Sequence, residues 1–494
     1  MNEINGQPPG YIRETGVDLA PLVVDLDGTL TPTDTLFESV LLAIKRRPST
    51  VFCLAIWLLQ GRAGFKARVA ERARPQAVDW PYRTDLVDYL RAEKLRGRRL
   101  VLATAAHHST ALSVAAHLDL FDAVLASDET RNLKGAAKLA AIRASEGERF
   151  AYAGDSSADL PVWKMAQAAI LVGTSETVAA KVRAAGTPIE REFSPGRAGF
   201  GDWLRALRVH QWLKNALLFV PLLTAFAFAD MHKVFAVAVA FVAFCLAASA
   251  TYIGNDLWDL QNDRRHPRKC NRPFASGRIS IIAGVLMAGF LLSTSFLLAA
   301  TQSSGFLALL ALYVVLTTTY SWVLKTYILI DVLMLALLYT LRIVAGAAAA
   351  GIQTSVWLLA FSVFIFLSLA LVKRCAELVT LGATGAQAAH GRDYRVSDLV
   401  VLWPMGVGAG LCAVVVFTLF ASAPDVSAKY ATPQLLWLVA VGLVYWLGRL
   451  WIKTARGVMH DDPLVFAIRD FGSRVTIAAM LGTVIIARFS HFGW

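Results

Sequence analysis

Cysteine is scarce in this chain. Its five cysteines (Cys53, Cys245, Cys270, Cys375 and Cys412) are scattered over 494 residues with no CxxC pair, which excludes a disulfide framework and a cysteine-based zinc site. Charge is scarce too, at 17% of residues, and acids are the rarer sign: 36 Asp and Glu against 48 Lys and Arg, a net charge of +12. Such a balance raises the question of nucleic acid. With 56% hydrophobic residues and a mean hydropathy of +0.52, it reads instead as a Lys/Arg bias toward the cytoplasmic face of a membrane protein. No nucleic-acid partner is expected. The N-terminal stretch MNEINGQPPGYIRETG lacks an apolar h-region, so no cleaved signal peptide is expected and the first domain is predicted to stay in the cytoplasm. Repeats of fixed period and low-complexity tracts are missing as well.

The apolarity is uneven. Residues 1–195 read as a soluble α/β domain, 196–214 as a linker and interfacial helix, and 215–494 as an all-α membrane bundle. In the first domain, the apolar run Pro21–Val24 ends in Asp25-Leu26-Asp27-Gly28-Thr29. Arg99–Ala103 ends in Thr104, and Phe150–Ala153 ends in Gly154-Asp155-Ser156-Ser157-Ala158-Asp159. Buried parallel strands have this form, with polar residues emerging at the carboxyl end where open α/β sheets place their sites. Together with Lys134-Gly135, the strand ends predict one site holding Asp25, Asp27, Thr104, Lys134, Asp155 and Asp159. A carboxylate can accept a phosphoryl group, a second can serve as acid and base, and a lysine and a hydroxyl can hold phosphate oxygens.

DLDGT, the strand-end Thr, the Lys and GDSSAD resemble the four motifs of the haloacid dehalogenase-like superfamily. The resemblance implies a Rossmann-like fold with a helical cap, here about residues 35–90. It also implies Asp25 as nucleophile and Asp27 as general acid/base, the latter favouring a phosphatase over a dehalogenase. Thr104 and Lys134 would bind phosphate. Asp25, Asp27 and Asp155 would hold Mg²⁺, with Asp159 in support. In the cap, Leu36–Ile44 and Val51–Leu59, with Trp57, are too short to span a bilayer. By composition they read as an ordinary cap with a buried face. Lys45-Arg46-Arg47 between them also allows a cap resting on the membrane surface.

The linker Arg191–Gly201 carries Gly and Pro, and Trp203–Lys214 mixes Trp and Leu with cations, as an interfacial helix does. Nine spans are predicted near 215–230, 234–254, 280–300, 305–323, 328–350, 355–372, 399–420, 433–452 and 474–491. The loops after the even-numbered spans hold Arg264–Arg278, Lys325, Lys373 to Arg395 and Lys453 to Arg474. The others hold only Lys233 and Lys429. This bias puts the even loops and the N-terminal domain on the cytoplasmic side of the inner (cell) membrane, and the C-terminus outside.

The predicted cytoplasmic face gathers the polar residues. NDLWDLQNDRRHPRKCNRPFASG, Asn255–Gly277, carries Asp256, Asp259 and Asp263, then Arg264, Arg265, Arg268, Lys269 and Arg272. On one helix the acids fall at i, i+3 and i+7, a single face. Like charges so close call for a cation, and Mg²⁺ shared with substrate phosphates suits them. Tyr320, Lys325, Asp331 and Arg342 form a second set. Lys373, Arg374, Glu377, Arg392, Asp393 and Arg395 form a third, and His460-Asp461-Asp462-Pro463 with Arg469 and Asp470 a fourth. Arg342, deep in a span, reads either as facing a polar cavity or as a structural pair. The third set could be a solvated face.

The spans and NDxxDxxxD resemble the UbiA superfamily of intramembrane prenyltransferases over residues 203–494. HP-x-K-x-x-RP, YSWVLK, LRIVAG and KRCAEL resemble its decaprenyl-phosphate phosphoribosyltransferase branch more closely. The second Asp-rich motif of typical prenyltransferases, DxxxD, is missing: Leu335 stands four places after Asp331. The resemblance implies a bifunctional enzyme that transfers 5-phosphoribose from phosphoribosyl pyrophosphate to a polyprenyl phosphate and then removes the 5-phosphate. Asp256, Asp259 and Asp263 would hold Mg²⁺ on the departing pyrophosphate, with Asn255, His266, Lys269 and Arg272 binding substrate. Tyr320, Lys325, Arg342, Lys373 and Arg374 are candidates for the acceptor phosphate and the 5-phosphate. An aromatic or quinone prenyltransferase with an accessory phosphatase domain is the alternative, and a transporter regulated by the soluble domain a third. A homo-oligomer is left open.

Overall fold

The structure is a computed structural model that describes residues 19–59, 61–194, 196, 198–385, 392–459 and 463–491. The chain divides into two compact units. One takes the residues up to Ala206 together with Asp256–Leu286, and the other takes Leu207–Asn255 and Met287–Trp494. The Asp-rich segment, which the sequence groups with the membrane half, thus clusters with the first unit.

The first unit is built on a six-stranded parallel sheet: β1 (Leu22–Val24), β2 (Leu100–His107), β3 (Ala123–Ser127), β4 (Ala151–Gly154), β5 (Ala168–Val172) and β6 (Ile189–Phe193). Their order is β3-β2-β1-β4-β5-β6, with Val23 paired to Val101 on one side and to Tyr152 on the other. The three strands expected from the sequence are β1, β2 and β4. Alternate residues feed opposite faces, and both faces are covered. Leu22 and Val24 pack with Leu86, Leu90 and Val114, while Val23 packs with Ile142, Trp163 and Val178. Period-two alternation therefore yields no polar positions, and the strand reads as a continuous apolar run. The strand order reverses between β1 and β4, and ligands bind outside the carboxyl ends at such a switch point. Asp25 and Asp155 both stand there.

The expected cap is formed by α1 (Thr35–Arg46), α2 (Thr50–Leu59) and α3 (Gly61–Ala73). Asp34 caps α1, its carboxylate accepting from the backbone N–H groups of Leu36 (2.9 Å) and Phe37 (3.3 Å).

Among the described residues, eight helices are long and apolar enough to cross a membrane: Met231–Trp258, Ile281–Ala300, Ser304–Trp322, Ile330–Ala350, Val356–Ala383, Val396–Ser422, Pro433–Ala455 and Phe471–Phe489. The first of the nine expected spans, 215–230, is broken. A 3₁₀ helix, Val209–Phe219, precedes a short helix, Val220–Thr224, and a further turn, Ala227–Ala229. Pro221 lies in the first turn of the short helix, where its missing N–H costs little, and Phe226 adopts a left-handed φ of 52°. The broken segment still belongs to the bundle. Gly346 on Ile330–Ala350 admits it so closely that a Cβ there would lie 2.0 Å from the Leu218 carbonyl oxygen. The expected interfacial helix is likewise divided. Phe200–Leu207 is helical, and Arg208 turns the chain at φ 50°.

Two candidate active sites

The first site lies at the sheet switch point. Lys138 Nζ sits 2.7 Å from Asp25 Oδ2 and 3.6 Å from Asp159 Oδ1, and it donates to the Tyr152 hydroxyl at 3.0 Å. Tyr152 in turn donates to Asp159 Oδ1 at 2.8 Å. The other Asp159 oxygen accepts from the backbone N–H groups of Asp155 (3.3 Å) and Ser156 (3.2 Å). Asp27 accepts from the backbone N–H of Thr35 at 2.8 Å, which ties it to the first residue of α1. Gly28 must be glycine: its φ is +78°, and a Cβ there would lie 2.3 Å from Asp155 Oδ2.

Electrostatics at this site favour a cation. Burial pushes the Asp25 carboxyl up more than Lys138 pulls it down, and Asp159 adds to the rise. Burial and then Asp34 push Asp27 up to about 7. Burial, then Asp159 and Asp25, push Asp155 up to about 7. Burial opposes the Lys138 ammonium, but the Asp25 and Asp159 carboxylates outweigh it and hold its pKa up. Oxygens of Asp25, Asp155 and Asp159 lie within 4.8 Å of one another, the one such acidic group among the described residues. Hard oxygen donors that repel one another this closely fit a divalent ion such as Mg²⁺. A cavity of about 610 Å³ opens beside them, lined by Asp25, Asp27, Lys66, Lys134, Lys138 and Asp155 among others.

Two residues here escaped the sequence. Lys138, not Lys134, reaches Asp25; Lys134 lines the cavity wall. The available signal was a lysine on the buried face of the Ala-rich helix Ala136–Glu146, where an unpaired charge would be costly. Lys66 on α3 donates to the Ala105 carbonyl (2.6 Å) and Asn132 Oδ1 (2.9 Å), pinning the cap to the core. Thr104 is fully buried, its Oγ1 accepting from the Ala106 N–H at 3.0 Å, and it is not among the residues lining the cavity.

The second site is the Asp-rich segment. Met231–Trp258 ends at Trp258, Asp259 forms the junction, and Leu260–Arg265 resumes as a short helix. The single continuous helix expected from the spacing is therefore interrupted. Asp256 and Asp263 still converge, because Arg272 Nη1 lies 3.1 Å from Asp256 Oδ1 and 2.6 Å from Asp263 Oδ2. Both acids are buried, and Asp259 is half-buried. The cation between Asp256 and Asp263 is thus a guanidinium. Arg264 and Arg265 turn to the cap instead. Arg264 makes a bidentate pair with Glu38, both bonds 2.7 Å, and Arg265 pairs with Asp79 at 2.7 and 2.8 Å. His266 Nδ1 accepts from the N–H groups of Arg268 (3.2 Å) and Lys269 (3.4 Å). This leaves the Lys269 side chain exposed.

In the other unit, Asn255 Oδ1 is buried without a hydrogen-bond partner among the described residues. It borders a cavity of about 210 Å³ with Thr251, Thr318 and Ser321. A carbonyl oxygen at a cavity wall can accept from a donor or bind a cation. Arg342 is enclosed: it donates to Asn215 Oδ1 (2.9 Å), the Leu338 carbonyl (2.6 Å) and the Tyr313 hydroxyl (3.1 Å). Of its two sequence readings, the structural pair matches these contacts. Arg374 is also enclosed, bonded to Asp331 at 2.5 Å and to Glu377. Glu377 holds Arg392 at 2.9 Å, and Tyr394 donates to Asp331. Tyr320 lies beside Arg392 and Arg374. Lys325 and Lys373 are half-buried. Asp470 caps Phe471–Phe489 and binds Lys453 at 2.6 Å. His460, Asp461 and Asp462 lie outside the described residues.

The model of the UbiA prenyltransferase family matches residues 218–466, half of the chain. The chain belongs to the UbiA prenyltransferase family. A haloacid dehalogenase-like hydrolase model matches residues 22–164, so this UbiA protein is an enzyme that carries a hydrolase domain ahead of its membrane helices. It is similar to the protein y4nM of Sinorhizobium fredii, 39% identical over 91% of this chain and 87% of that one. It is also similar to the nodulation protein NoeC of Azorhizobium caulinodans, 38% identical over 58% of this chain and 94% of that one. A decaprenyl-phosphate phosphoribosyltransferase of Corynebacterium glutamicum is 35% identical over 42% of this chain and 64% of that one. The chain is a multi-pass membrane protein, as its helices and its family both indicate.

Proposed function

We propose that this enzyme transfers 5-phosphoribose from phosphoribosyl pyrophosphate to a polyprenyl phosphate and then removes the 5-phosphate. Residues 1–195 form the phosphatase domain, 196–214 a linker and interfacial segment, and 215–494 the transferase. The observation that carries the reading is the pairing of Glu38 and Asp79, in the phosphatase cap, with Arg264 and Arg265, beside the Asp-rich motif. A phosphatase built onto the diphosphate-handling segment of a transferase suits a transfer product that bears a phosphomonoester. The similarity to a phosphoribosyltransferase over 42% of this chain supports this choice of donor.

In the transfer step, a phosphate oxygen of the lipid attacks the ribose anomeric carbon and the bond to pyrophosphate breaks. Asp256, Asp259 and Asp263 face that diphosphate, with Arg272 and Lys269 offering charge-assisted hydrogen bonds. In the second step, Asp25 attacks the 5-phosphate to form an aspartyl phosphate. Asp27 protonates the departing ribose oxygen and then takes a proton from the water that hydrolyses the acyl phosphate. A carboxyl near pH 7 suits both duties. Mg²⁺ held by Asp25, Asp155 and Asp159 would neutralise phosphate charge at the phosphatase site; at the Asp-rich segment it would take the place of the Arg272 guanidinium between Asp256 and Asp263 and free Arg272 for the diphosphate.

Both active sites then lie in the cytoplasm, at the inner face of the cell membrane. On this reading the N-terminal domain and Asp256–Leu286, which share one unit, lie on one side of the bilayer, and the chain between them crosses it an even number of times. Met231–Trp258 crosses once, which leaves Val209–Ala229 for the other crossing. At roughly 2.0 Å per 3₁₀ residue and 1.5 Å per α residue, that segment reaches about 30 Å. Nine crossings put the C-terminus outside.

The test is transfer of ribose-labelled phosphoribosyl pyrophosphate into the lipid phase. Label should enter with polyprenyl phosphate as acceptor, and Asp25→Asn should make the 5-phosphorylated lipid accumulate. Transfer from a prenyl diphosphate to an aromatic acceptor, with no ribose label in lipid, would overturn the reading.

A further inference from the structure

The phosphatase cap presents two features on one side that its chemistry does not use. The first is an arginine basin. Arg46, Arg47, Arg68, Arg72 and Arg74, with Trp57, line a cavity of about 640 Å³ whose one acid is Glu71. Glu71 reaches Arg68 only at 3.7 Å, with both side chains exposed, so it neutralises little. Arg72 stacks over Trp57 at 5.9 Å, and its Nε is buried without a hydrogen-bond partner among the described residues. The second is α2 itself. Phe52 is 81% exposed, Ile56 61% and Leu59 88%, and a contiguous apolar face of this kind on a soluble domain marks a contact surface.

Both features belong to the unit that contains the end of a membrane-length helix. Lys45 donates to the carbonyl of Trp258 at 2.8 Å, and Trp258 is the last residue of the apolar helix Met231–Trp258. Arg46 and Arg47 follow Lys45 directly, and α2 begins three residues later. Ten residues of helix measure about 15 Å, half the hydrocarbon thickness, so α2 cannot cross. An apolar helix with cations beside it fits the plane of the interface.

We propose that α2 lies in the cytoplasmic leaflet and that the arginine basin binds the phosphate groups of anionic lipids there. Guanidinium groups pair bidentately with phosphate oxygens, and an anionic lipid surface attracts clustered Arg. The site is separate from the catalytic cavity, and the proposal stands whichever sugar or prenyl chain the enzyme uses.

The test places an environment-sensitive fluorescent amino acid at position 59 of the full-length protein. The protein is reconstituted, one copy per nanodisc, in phosphatidylcholine with and without phosphatidylglycerol. The expected result is a blue-shifted emission in discs with phosphatidylglycerol, reversed by high salt. The shift should be lost in the Arg46→Gln/Arg47→Gln/Arg68→Gln variant while hydrolysis of a soluble phosphate ester continues. Emission as in detergent solution for both disc types overturns the proposal. An equal shift in both disc types removes the headgroup site, and a shift seen only with two copies per disc assigns the face to a copy–copy contact instead.

Discussion

Replacing Glu38 by Gln should damage a site more than two hundred residues away in sequence. Glu38 and Arg264 form two bonds of 2.7 Å, and each side chain is 7% exposed. Removing one partner of a buried pair costs about 3–5 kcal/mol, because the other charge stays buried. Gln keeps one acceptor oxygen, and Arg264 keeps the Asp79 and Ala275 carbonyls, so the lower end, about 3 kcal/mol, applies. The sheet core does not include the pair, so the loss falls on the turn Asp263–Arg265 rather than on the whole domain. At about 1.4 kcal/mol per tenfold, amides of residues 259–266 should exchange with deuterium roughly 100-fold faster by local opening. Transfer into lipid should fall at least about tenfold, while hydrolysis of a soluble phosphate ester changes little. Adding Arg264→Met should restore part of the protection, since no charge is then left unpaired. Unchanged exchange in Glu38→Gln, with transfer within about twofold of wild type, would refute the idea that the cap anchors the Asp-rich turn.

Lys138→Met should cut phosphate-ester hydrolysis by about 100-fold or more, as loss of a charged partner at a reacting oxyanion does, and Lys134→Met by less. Transfer of labelled ribose should survive both. Stability of the metal-free protein should depend on pH through Asp27 and Asp155, both pushed up to about 7 against about 3.9 in an unfolded chain. Between those values the fold keeps protons that the unfolded chain has released, so stability falls as pH rises from about 4 to 7. Mg²⁺ competes with those protons and should therefore raise the unfolding temperature more at about pH 8 than at about pH 5. A thermal scan with EDTA that is flat across this range would count against the buried acids.

Several elements were legible in the chain because their signals are local. β1, β2 and β4 announce themselves as short apolar runs ending in Asp25, Thr104 and Asp155. The long apolar runs mark the membrane helices, whereas the spacing of the Asp-rich motif suggests one continuous helix that the break at Asp259 interrupts. β3 and β6 are hard to read because their runs, AVLAS and IEREF, carry little that distinguishes a strand from its surroundings; β5, AAILV, is a buried apolar run that lacks an acid at its end and so gives no sign of a site. The break at Pro221 was visible as a proline, but only packing against Gly346 shows why a broken segment still occupies the bundle.

Local pattern along the chain sets the inventory: which acids, lysines and arginines exist, and which stand at the end of a buried run. Their partners depend on the fold. Lys138 rather than Lys134 meets Asp25, Arg272 bridges Asp256 and Asp263, Arg342 and Arg374 close on Asn215 and Asp331, and Arg264 leaves its own motif for Glu38. The reason is physical. Burial is set by local hydrophobic pattern, but a buried charge must find its counter-charge wherever the fold brings one within about 3 Å, and that distance has no counterpart along the chain.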